Sequence, residues 1–121
     1  MEVENAKDNT LKVCFYEMLG SLILFLGVNW GNNPAAVALA LYTGVMITGS
    51  ISGAHHNPAV TLGVLFADGC EHVGTHMKTA LAVIFSQVVG MSLGAGIIYL
   101  SYTDKVAKTN NVAILLSLQN K

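Results

Sequence analysis

The sequence predicts an all-α membrane protein with three transmembrane helices plus one re-entrant half-helix. Three observations predict it. Charged residues make up 11% and apolar residues 53% of the 121, whereas a soluble domain carries about 25% charged residues. No Asp, Glu, Lys or Arg occurs from Met18 to Ala67. That stretch far exceeds the ~20 residues one helix needs to cross a bilayer, so the chain must turn back within it. Breaks rich in Gly, Asn and Pro mark where it turns.

Residues 1–12 are polar and of mixed charge and are expected to form a cytosolic tail. The first span covers about residues 11–30 and ends at Trp30, a residue type that suits the membrane interface. It contains Glu17, and no small-residue cleavage pattern follows it, so it is expected to be retained rather than cleaved as a signal peptide. "WGNNPAA" then breaks the chain, with Pro34 suited to a first helical turn. The second span covers about residues 35–52. "SGAHHNP" is the second break. After it, about residues 57–67 form an apolar helix roughly half a bilayer long at 1.5 Å per residue. A charged loop, Asp68–Lys78, leads to the third span at about residues 79–102. Residues 104–121 read as a loop or truncated tail with one short apolar patch, Val112–Leu118. Residues 13–103 thus hold the membrane-embedded unit.

The short helix raises a physical problem. Its start, near Asn57, falls at the bilayer midplane. Unpaired N–H groups at a helix start need partners, and hydrocarbon supplies none. Irregular backbone at that depth survives when it is buried in protein or lines a water-filled cavity. Ser52–His56 is therefore expected to line a cavity, offering carbonyl acceptors, with Asn57 offering donors. The helix dipole places about half a positive charge there, which opposes cations and protons. Such a site suits neutral, hydrogen-bonding molecules.

Other chemistries find little support. The net charge is −1 with no basic block, so no nucleic-acid partner is expected. Cys14 and Cys70 form no CxxC or zinc spacing, and neither a disulfide framework nor a metal site is expected. The adjacent His55 and His56 lack a carboxylate or thiol at helical ligand spacing. No cofactor and no enzymatic activity are expected. A pH response through His56 is a separate possibility.

"ISGAHHNPAVTLG" resembles the first Asn-Pro-Ala loop of the aquaporin, or major intrinsic protein, family of water and glycerol channels. "YEMLGSLILFLG" resembles that family's first helix and "FSQVVGMSLGAG" its third. The resemblance runs over about Leu11–Tyr102. It implies one repeat of the aquaporin-like fold, the amino-terminal half of a two-repeat channel. The second Asn-Pro-Ala loop does not occur in this sequence. Neither does the constriction arginine, for all six basic residues are lysines.

The resemblance implies a pore lined by Gly53, Ala54, His55, His56, Asn57, Pro58 and Ala59. His56 stands where an apolar residue is commoner in the family. Val37 is expected at the outer constriction, with Leu39 and Tyr42 as alternatives. Glu17 is expected to accept hydrogen bonds from the pore loop, against a protonated residue merely tolerated near the helix end. Gln87 is expected to bond between helices. Gly90 and Gly94 suit close packing. The implied function is passive passage of water or a small neutral solute such as glycerol. The alternative is a non-conducting membrane protein that associates with full-length channels and modulates them. Expected partners are the lipid bilayer and either a homo-oligomer, a tetramer by resemblance, or a second half-channel. The expected location is a multi-pass position in the plasma membrane or a vacuolar or vesicle membrane. Lysines tie at three per side and leave the orientation open.

Overall fold

The computed structural model describes residues 2–31, 33–67 and 73–119. Four helices follow one another: α1 (Glu2–Gly31), α2 (Pro34–Ser52), α3 (Pro58–Ala67) and α4 (Val73–Gln119). Within them, Asn9–Gly31, Pro34–Ser52 and His76–Lys105 are long and apolar enough to cross a membrane. α3 is apolar but has only 10 residues, about 15 Å at 1.5 Å each. The fold is therefore the all-α membrane architecture of three spans and one half-length helix.

The turns follow local chemistry. Asn33 caps α2, its side chain accepting from the Ala36 N–H at 2.9 Å, and Pro34 occupies the first turn. An Asn cap and an N1 proline both favour a helix start. At the other end Gly53 takes a left-handed φ of 84°, and its N–H bonds the Gly49 carbonyl at 3.1 Å. Glycine adopts that backbone at little cost. Asn57 then starts α3, its Oδ1 accepting from Ala59 N at 2.8 Å and its carbonyl from Thr61 N at 3.1 Å.

Two helices run further than the spans expected from polarity. α1 starts at Glu2, inside the expected tail, and α4 continues to Gln119 through the expected loop. Neither extension contains Gly or Pro, the residues that end helices, and Asp104 pairs with Lys108 one turn on at 2.8 Å. Polarity marks the end of a span but does not end a helix. Asp68–His72, including Cys70, lie outside the described residues.

α1 is the central element. α2 packs along it, α4 packs along it, and α3 packs on α4. Among the described residues, α2 and α4 make no close approach to each other. Small residues set the spacing. A side chain at Gly27 would run into Ala40, and one at Gly90 into the Met18 carbonyl. Glycines let helix backbones approach closely in membranes, where packing rather than hydrophobic burial drives association.

Candidate functional site

The site is the loop between α2 and α3. Gly53, Ala54 and His56 all have positive φ, at 84°, 53° and 50°. Non-glycine residues visit that region rarely and at a cost, so other contacts must hold the loop. Glu17, from the middle of α1, supplies most of them.

Glu17 is fully buried. Its Oε1 accepts from Ser52 Oγ at 2.6 Å and from the His55 N–H at 2.9 Å. Its Oε2 accepts from the His56 N–H at 2.7 Å and from Gln87 Nε2 at 2.8 Å. Four donors fill the four lone-pair positions of a carboxylate. One side chain thus ties α1, the end of α2, the loop and α4 together. A buried charge survives in this setting only when it is satisfied in this way.

Gln87 on α4 is also fully buried. Its amide donates to Glu17 and, at 3.0 Å, to Thr61 Oγ1. Thr61 in turn contacts His55 Nδ1 at 3.2 Å and the Asn57 carbonyl at 3.2 Å. The His55 ring is thus oriented by the first turn of α3. Ser52, which opens the stretch expected to line a cavity, belongs to the site, and so does Thr61, two residues beyond Asn-Pro-Ala. For Thr61 the available signal was a hydroxyl residue one helical turn after Asn57.

Asn57 is exposed, and its oxygen is engaged by Ala59. Its Nδ2 hydrogens are the donors left for a bound molecule. Beside it lies a cavity of about 220 Å³ bordered by Ser21, Leu24, Met91, His56, Asn57 and Pro58. A second cavity of similar size, on the other side of the loop, is bordered by Ser52, His55, Thr61 and His76. The loop therefore separates two hollows. Gly53 and Ala59 are exposed, and Ala54 and Pro58 are half-buried.

The helices around the loop place two more residues of the expected lining, His56 and Val37. The His56 ring is turned into the α1–α2 seam and is only 2% exposed, although the residue borders the cavity. It fits there because Gly20 and Gly44 leave room, and because Thr48 Oγ1 lies 2.6 Å from its Nε2. Val37 is half-buried near the start of α2 and borders neither cavity. It lies in the first turn of α2, four residues after Asn33. Leu39 and Tyr42 are exposed. Among the described residues, no three His, Cys, Asp or Glu side chains cluster as a metal would need.

Three apolar spans around a braced re-entrant loop define an all-α membrane protein built as one aquaporin-like repeat. The chain belongs to the major intrinsic protein family, whose model matches residues 4–120. It is 35% identical over 89 residues to a probable glycerol uptake facilitator protein of Thermotoga maritima, covering 73% of this chain and 32% of that one. It is 34% identical over 95 residues to the lens fiber major intrinsic protein of Gallus gallus, covering 69% and 34%. With aquaporin-5 of Sus scrofa it shares 36% over 103 residues, covering 74% and 36%. The chain thus spans about a third of the length of these relatives. No solved structure matches it significantly.

Proposed function

We propose that this chain forms one half of a channel for the passive passage of water or small neutral solutes such as glycerol. It does no chemistry on what it passes. The observation that carries this reading is Asn57: an exposed amide at the start of a half-length helix, in a loop braced from below by Glu17. Its Nδ2 donors, and the positive end of α3 behind them, replace water contacts that a neutral solute loses on entry. The same positive end disfavours cations. The names of the similar proteins, glycerol facilitators and aquaporins, support the solute class.

A second half is needed to close the passage. Val60, Leu62, Val64 and Phe66 of α3 are exposed. Lipid cannot satisfy the exposed amide of Asn57, so a protein surface is expected against the loop.

Osmotic shrinkage of liposomes carrying the purified chain tests the reading, followed by stopped-flow light scattering beside an Asn57→Asp variant. The expected result is water or glycerol flux above empty liposomes, lost in the variant, because a carboxylate at the loop attracts cations and removes the donors. No flux from the chain alone, with no gain in flux when it is mixed with a full-length family member, would overturn it. Reduced flux of such a partner on mixing would favour the modulating role instead.

A further inference from the structure

The His56 ring lies in the α1–α2 seam, although the residue also borders the cavity beside Asn57. Its surroundings form a matched set. A Cβ at Gly20 would collide with the imidazole, and one at Gly44 would crowd it at 2.9 Å. These two glycines come from different helices, α1 and α2, and the ring lies between them. Thr48, one turn after Gly44, is fully buried and meets Nε2 at 2.6 Å. The backbone N–H of His56 is held by Glu17. Both ends of the residue are therefore anchored, and its neighbour in the chain is Asn57.

The geometry points to His56 as a positioning residue: its ring, keyed into the Gly20–Gly44–Thr48 slot, sets where Asn57 presents its amide. What Asn57 does there rests on the channel reading; that His56 places it does not. The mechanism is steric and local. His56 holds a left-handed φ of 50°, which the backbone alone does not favour. An aromatic ring wedged between two helices, with a hydrogen bond at its far end, removes the freedom to relax. Asn57 must then leave the seam in one direction.

The slot also selects a tautomer. His56 Nδ1 is buried and has no hydrogen-bond partner. An orphaned acceptor is tolerated better than an orphaned N–H, so the expected tautomer carries its proton on Nε2 and donates it to Thr48 Oγ1. A side chain with no donor at that end cannot make this contact.

The test is nitrogen NMR on the full chain in lipid nanodiscs, with labelled Asn and His. It reads the Asn57 side-chain amide and the His56 ring nitrogens in Thr48→Val, Thr48→Ser, His56→Leu and Gly20→Ala. The wild type should show the Nε2–H tautomer. Thr48→Val keeps the shape of the slot but removes the acceptor, and should shift both the ring and the Asn57 amide. Thr48→Ser keeps the hydroxyl and should restore the wild-type signals. His56→Leu should shift the Asn57 amide, and Gly20→Ala should broaden or split it. An Asn57 amide that stays in place in both Thr48→Val and His56→Leu overturns the proposal, whatever the flux. Shifted signals in a chain that carries no flux overturn the channel reading alone and leave the positioning role standing.

Discussion

Glu17 meets four donors, drawn from the end of α2, the loop and α4. Replacing one of its oxygens with an amide turns an acceptor into a donor facing other donors. Glu17→Gln should therefore cost about 1–3 kcal/mol, the scale of a buried polar group losing its partner. Denaturant unfolding in mixed micelles measures it, with limited proteolysis locating the damage at the loop. An unchanged midpoint would mean that the loop holds itself. Glu17 and Gln87 were legible in the sequence because a polar residue inside an apolar span must find a partner. The residues opposite them were not equally legible. The room made for His56 by Gly20 and Gly44 depends on which helices meet and at what height, and no local pattern states that.

At the scale of the elements, the α1–α4 crossing depends on Gly90. A methyl group there would run into the Met18 carbonyl, which is backbone and cannot rotate away. Gly90→Ala should destabilise the fold by about 1–3 kcal/mol through overpacking, read as a lower unfolding midpoint. Gly63→Ala is the control, since a Cβ there meets nothing within 4 Å beyond its chain neighbours and its own helix backbone, and the better helix former should leave stability unchanged or slightly raised. The positions of α2 and α3 were visible in advance because Asn33-Pro34 and Asn57-Pro58 are helix-start chemistry. The far ends of α1 and α4 were not. Charge and polarity in those stretches signal water, while helix termination needs a breaker that the sequence does not place there.

For the whole molecule, three spans put the start of α1 and the end of the third span on opposite faces of the membrane. In a version with Cys14 and Cys70 replaced by serine, a cysteine at Asn9 and one at Tyr102 should react with an impermeant maleimide from opposite sides. Reaction of each from both sides would instead reveal two orientations, which the equal lysine counts permit. That odd number of crossings was legible from the uncharged runs alone, whereas the central place of α1 was not, because apolar composition does not say which helix touches which. The central place has a thermodynamic consequence. Among the described residues the α1–α2 and α1–α4 seams share a helix but α2 and α4 do not touch, so their energies should be separable. Gly27→Ala in the first and Gly90→Ala in the second should sum in the double variant to within about 0.5 kcal/mol, as independent sites do. Damage at Glu17, which both seams reach, should not sum with either. α1 then behaves as a keel to which two planks are fastened separately, so one can loosen while the other stays fast.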